Sequence, residues 1–198
     1  MQESDNLIAQ YLRRLYNKGL TTCYGGNISI RYNDGYYISQ TCVDKSLIKK
    51  SNIAYMDYND VSQNGVVPSS EFQMHRMIYQ NREDINSIIH AHPPSATAYA
   101  LSGNVINSRI SSEMFKNLGD ISIAKYAKPG SLELAKEVSS IALKSNAILM
   151  ENHGVIVLAK DIKQAYYMIE LFEQLAYMTF IIKSIGTPKM LSEQQINL

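Results

Sequence analysis

The chain has no tryptophan, only two cysteines and no excess of either charge. Each absence removes a class of protein. Cys23 and Cys42 are too few for a disulfide scaffold, and they fit a reducing, cytoplasmic setting. Lys and Arg number 19 against 18 Asp and Glu, so the formal net charge is +1 and no basic field is offered to a nucleic acid. No apolar run reaches the ~18 residues of a membrane span. The opening MQESDNLIAQYLRRLY lacks the basic and apolar regions of a secretory leader. Neither nucleic acid nor membrane is therefore expected as a partner. A Walker loop and a dinucleotide fingerprint are both missing, so nucleotide binding has no support. Repeats, low-complexity tracts and long linkers are also missing, and the 198 residues are expected to form one domain, 1–198.

What is present is a mixture of strand and helix patterns. Leu7, Ile8, Tyr11, Leu12 and Leu15 make one apolar face, which predicts a helix over 3–18 closed by Gly19. Residues 27–32 alternate, Asn33-Asp34-Gly35 reads as a turn, and 36–39 return, as in a β-hairpin. Strands are predicted at 53–58, 87–92, 121–126, 147–150 and 155–158. Helices are predicted from a Pro68-Ser69-Ser70 start to about Arg82, over 95–101, and after Gly130-Ser131. A long last helix is predicted from an Asp161 cap, with Ile162, Ala165, Ile169, Phe172, Ala176 and Ile182 on one stripe. Residues 104–120 give no periodicity. Strands joined by tight turns must pair antiparallel, so a mixed sheet covered by helices on both faces is expected.

Chemistry concentrates in the stretch SIIHAHPP, residues 87–94. Residues i and i+2 of a strand face the same way, so His90 and His92 project together. Two prolines then end the strand and leave the pair at its edge. Neutral imidazole is a common zinc ligand. The chain has four histidines in all. His153, in the turn ENHGV, could supply a third imidazole, and three with an open position form a catalytic rather than a structural site. His75 competes for that place, because it stands four residues after Glu71 on one predicted helix face. Glu71 in that helix's first turn reads either as an acid favoured by the dipole or as a fourth ligand and general base. Spacing alone does not choose between His75 and His153.

Three short stretches can hold an anion. Gly25-Gly26-Asn27 offers free backbone N–H groups, Ser69-Ser70 offers hydroxyls at a helix start, and Thr41-Cys42 follows a strand.

Taken in order, GGNISIR, PSSE followed by MH, IIHAH, KPGSLELA and ENHGV with a long final helix resemble the class II aldolase/adducin family from about Gly19 to Leu191. The resemblance implies a three-layer α/β/α fold around a largely antiparallel mixed sheet. It implies Zn2+ bound by Glu71, His90, His92 and His153, with His75 left to structure. It places a substrate phosphate on Gly26, Asn27, Thr41, Cys42, Ser69 and Ser70. The implied reaction is cleavage of a ketose 1-phosphate to dihydroxyacetone phosphate and an aldehyde, through a metal-stabilised enediolate. The implied assembly is a homotetramer with sites at subunit contacts. Dehydration of a methylthioribulose-1-phosphate-type substrate, 4-epimerisation of ribulose phosphate, and a non-enzymatic adducin-head role are the alternatives within the family. Two departures stand out: the family aldolase has glycine where Cys42 stands, and its proton-donating tyrosine falls on Ser111. Glu113, two residues on, is a candidate proton carrier.

Overall fold

A computed structural model describes residues 4–196. The chain runs α1 (Ser4–Asn17), β1 (Asn27–Tyr32), β2 (Gly35–Ser39), β3 (Ile53–Asp57), α2 (Phe72–Asn81), β4 (Ser87–Ala91) and α3 (Pro94–Ser102). It continues through α4 (Ser112–Leu118), β5 (Ser122–Ala124), α5 (Leu132–Ala142), β6 (Ala147–Met150), β7 (Gly154–Ala159), α6 (Ile162–Ile185) and α7 (Glu193–Ile196).

The seven strands form one sheet in the order β3-β2-β1-β4-β7-β6-β5. Every neighbouring pair is antiparallel except β5 with β6. The expected mixed, largely antiparallel sheet is therefore present. Helices α1, α3, α4 and α6 cover one face, where Leu12, Ile89, Val157 and Phe172 share a core. Helices α2 and α5 cover the other, where Ile78, Ile88, Val138 and Ile156 pack together. Strands β4 and β7 lie at the centre and are buried along their whole length. That is why they read as apolar runs rather than as alternation.

Local sequence explains most boundaries. Helix α1 stops because Gly19 takes φ 68, and the N–H groups of Gly19 and Leu20 reach back to Tyr16 and Leu15. Residue 3 of the predicted helix lies outside the described residues. Asn33 takes φ 46 in the β1–β2 turn, where Tyr32 pairs with Gly35. Asp161 caps α6 by accepting from the Gln164 N–H at 2.8 Å.

Three expectations change. The helix expected from Ser69-Ser70 starts at Phe72, with Glu71 as its N-cap rather than in its first turn. Strand β4 ends at Ala91, so His92 stands in the strand-to-helix corner and not on the strand. The unreadable stretch contains α4, a short helix that buries only Met114 and Leu118 and so leaves little periodicity.

Candidate metal centre and anion pocket

One end of the central strands carries the site. Asn27 opens β1 directly opposite His90, which is next to last in β4. Period two turns His90 the same way as Ile88, toward α2. Gly154 opens β7, so the β6–β7 turn delivers His153 to the same end. That turn is held by Asn152 at φ 55 and by the His153 N–H donating to Met150 O at 3.0 Å.

The three imidazoles cluster, with His90 in T-shaped contact with both other rings and His92 tilted against His153. Ring centres lie 4.7 Å apart for His90 and His92, 4.6 Å for His90 and His153, and 5.4 Å for His92 and His153. One ligand atom from each lies within 4.8 Å of the others, close enough for one metal ion. Glu71 completes the group: its Oε2 is 3.3 Å from His90 Nε2 and its Oε1 is 3.6 Å from His153 Nε2. A backbone bond fixes the His90 ring, since Nδ1 donates to Val155 O at 2.9 Å and leaves the Nε2 lone pair free. Burial pushes the pKa of His90 down to about 3 and that of His92 to about 4, and it lowers that of His153. All three imidazoles are therefore held neutral, the form that binds a metal.

Fit to a cation rests on what is left unpartnered. His90 Nε2 and Glu71 Oε1 are buried with no hydrogen bond, at the point where Glu71 approaches His90 and His153. A buried polar atom without a partner costs about 1–3 kcal/mol. Two neutral nitrogen donors and a carboxylate around that point, with His92 beside them, match what zinc takes. Asn27 turns Glu71 toward them, donating from Nδ2 to Oε2 at 2.9 Å.

The same cavity is lined by Gly26, Asn27, Thr41, Cys42, Ser69 and Ser70, the whole set expected at an anion. Gly26 is at φ 68, and a Cβ there would meet His90 O at 2.8 Å, so the position admits only glycine. Cys42 holds φ 53, a conformation that glycine takes more easily. Ser69 Oγ accepts from the Glu71 N–H at 3.3 Å, which ties the serine loop to the carboxylate.

His75 keeps the structural role that the resemblance implies, Glu113 lies outside the cavity, and Lys45 enters it. His75 is fully buried and shares a 2.7 Å hydrogen bond with Ser29 Oγ, which in turn meets Tyr79 OH at 2.7 Å. It belongs to a polar network behind the site and not to the cavity lining. Glu113 does not line the cavity either. It sits on α4 and accepts from Tyr167 OH on α6 at 2.6 Å. Lys45 was not foreseen. It lines the cavity, is 1% exposed, and gives its ammonium to Val43 O at 3.2 Å. Burial lowers its pKa. Its sequence signal is faint, since a lysine in a loop normally reads as solvated.

A histidine cluster that could hold a metal, beside a cavity lined by glycine, serine and threonine, lies at one end of an α/β/α scaffold. The chain belongs to the family described as Class II Aldolase and Adducin N-terminal domain, whose sequence profile matches residues 6–180. By class it is a lyase of the metal-dependent class II aldolase type. It is 33% identical over 173 residues to an L-fuculose phosphate aldolase of Methanococcus maripaludis, covering 87% of this chain and 94% of that one. It is 30% identical over 179 residues to the L-fuculose phosphate aldolase of Escherichia coli K12, covering 90% and 83%. A solved L-fuculose 1-phosphate aldolase superposes with a TM-score of 0.92 at 29% identity, covering 100% of this chain and 94% of the other.

Proposed function

We propose that the chain is a zinc-dependent aldolase that splits a ketose 1-phosphate, of the L-fuculose 1-phosphate kind, into dihydroxyacetone phosphate and an aldehyde. The observation that carries this is the convergence of His90, His92, His153 and Glu71 beside a cavity lined by Gly26, Asn27, Thr41, Cys42, Ser69 and Ser70. Glu71, His90, His92 and His153 would hold a divalent cation, which when bound would supply Lewis-acid polarisation of the ketose carbonyl.

The chain's own groups do the rest. Backbone N–H groups at Gly26 and Asn27 and the hydroxyls of Thr41, Ser69 and Ser70 grip the phosphate, so binding energy far from the reacting bond positions it. Lys45 adds a positive charge to the same cavity. Cleavage breaks the bond between carbons 3 and 4. The carbon-4 hydroxyl loses its proton as its oxygen becomes the aldehyde carbonyl. The electron pair left on carbon 3 takes up a proton to give dihydroxyacetone phosphate. Glu71, buried beside the imidazoles, carries the proton at carbon 3. Glu113 lies on α4 outside the cavity of its own chain, so a role at the carbon-4 hydroxyl would have to be played in a neighbouring subunit.

That role needs an assembly, and we propose a homotetramer. Tyr177, Phe180 and Ile185 of α6 are 54%, 64% and 79% exposed, an apolar face that a neighbouring subunit would cover. Cytoplasmic location is supported by two free cysteines, and no described helix is long and apolar enough to cross a membrane.

The test is incubation of purified protein with zinc and a panel of ketose 1-phosphates, followed by assay for dihydroxyacetone phosphate. Formation from at least one member is expected; none from any member sinks the reading. Ser111 in place of the family tyrosine favours keeping dehydration and 4-epimerisation as second readings. Product mass separates them, because dehydration loses water and epimerisation leaves mass unchanged.

A further inference from the structure

Among the described residues the His92 ring has no hydrogen bond of its own, so what surrounds it must set its place. His90 is fixed through Val155 O. His153 sits in a turn held by two of its own backbone features. His92 has no hydrogen bond at either ring nitrogen among the described residues. Its ring fits a slot between two glycines: a Cβ at Gly25 would meet Nδ1 at 2.7 Å, and one at Gly154 would meet Cδ2 at 2.5 Å. A slot limits where the ring can go but does not hold it there. Metal-ligating histidines usually owe their orientation to an outer partner, and for His92 that partner has to act through the backbone.

The backbone beyond His92 is stiff and pinned at one point. Pro93 and Pro94 follow directly, each with φ fixed by its ring. Helix α3 begins at Pro94, with Pro93 as an N-cap that has no side-chain acceptor. Pro94 has no N–H to satisfy, so the first open donors are those of Ser95 and Ala96. Both go to a single side chain on α6: Ser95 N donates to Glu173 Oε1 and Ala96 N to Glu173 Oε2, each at 2.9 Å. Thr97 N already takes Pro93 O at 2.8 Å, as in an ordinary helix. One carboxylate from a helix 77 residues away thus closes the start of α3. It is the last fixed point before two prolines and His92.

We infer that Glu173 is a positioning residue for His92. Its carboxylate clamps the α3 N-terminus to α6, and the proline pair passes that constraint to the imidazole. The inference rests on the metal reading above, because it needs His92 to be a ligand.

The experiment compares wild type, Glu173→Gln, Glu173→Ala and Asp161→Ala. Asp161 caps the start of α6 by accepting from Gln164 N. It stands beyond the end of β7 far from the histidines, so Asp161→Ala removes a cap without touching the clamp. Two quantities are read on full-length protein: zinc affinity by chelator competition, and the visible absorption of the cobalt-substituted form, which reports ligand geometry. We expect both Glu173 variants to lose about 10- to 100-fold in zinc affinity and to shift the cobalt bands. Asp161→Ala should bind like wild type. Glu173→Gln keeps the side-chain volume and one acceptor oxygen, and it decides the matter if Glu173→Ala does not fold. Wild-type affinity and spectrum in Glu173→Gln overturn the inference, as does an equal loss in Asp161→Ala. A wild-type chain that takes up neither metal overturns the metal reading itself.

Discussion

Asn27 and Glu71, 44 residues apart, are joined by a 2.9 Å hydrogen bond from the Asn27 amide to Glu71 Oε2. The bond links the first residue of β1 to the N-cap of α2. It leaves Oε1 of the same carboxylate buried and free, facing His153. A residue expected at the phosphate therefore also holds the residue expected to move protons.

Asn27→Ala should show both consequences. Losing the donor frees Glu71 to swing away from the imidazoles. We expect kcat to fall about 10- to 100-fold, as for other partners of metal ligands. Urea unfolding should show a loss of about 1–3 kcal/mol, because the carboxylate oxygen stays buried without its bond. Unchanged kcat would mean that Glu71 is held by something else.

Gly154→Ala should strip the site by steric means alone. The new methyl would stand 2.5 Å from His92 Cδ2 and 2.7 Å from Ala91 O. The backbone cannot yield, so the imidazole must move. We expect at least a tenfold drop in zinc affinity by chelator competition. Gly186→Ala, whose Cβ meets nothing within 4 Å, is the matched control and should bind normally.

His75→Ala should cost stability and leave metal content alone. The substitution removes the partner of Ser29 Oγ and opens a hole under β1. Loss of about 2–4 kcal/mol is expected by denaturant titration. Metal analysis of the folded variant should match wild type.

Much of this was readable in the sequence, and the reasons are physical. The helix stripes and the hairpin turn depend on neighbours within a few residues, so α1, β1, β2, α5 and α6 fall where periodicity puts them. His90 and His92 are two apart, and an extended backbone brings both to one end of the sheet although His92 lies just past β4. The choice between His75 and His153 was different. His75 shares a helix with Glu71, but the packing of α2 on β1 turns it toward Ser29 and Tyr79. The β6–β7 turn, distant in sequence, brings His153 in instead. Lys45 and the Glu173 clamp are products of tertiary packing and leave no local pattern. Residues 104–120 were opaque because α4 buries so little of itself.

Acid should destabilise the metal-free protein. Burial holds His75 and His90 at pKa about 3 and His92 at about 4, against an ordinary 6.5 in the unfolded chain. Below 6.5 the unfolded state binds protons that the folded state refuses. Stability from these groups is thus complete above pH 6.5 and is lost progressively toward pH 3–4. Urea midpoints of the metal-free form should fall between pH 7.5 and pH 5. A flat profile would show that the imidazoles are not held neutral.

The most direct measurement is elemental analysis of wild type and His92→Ala, both purified without chelator and both checked for native circular dichroism. The sheet and its two cores pack without the ion, so the variant should stay folded. We expect one zinc per wild-type chain and a folded His92→Ala with little or none. A wild-type chain free of divalent metal, or a His92→Ala chain that keeps its full complement, would contradict the assignment of His90, His92, His153 and Glu71 as a metal site.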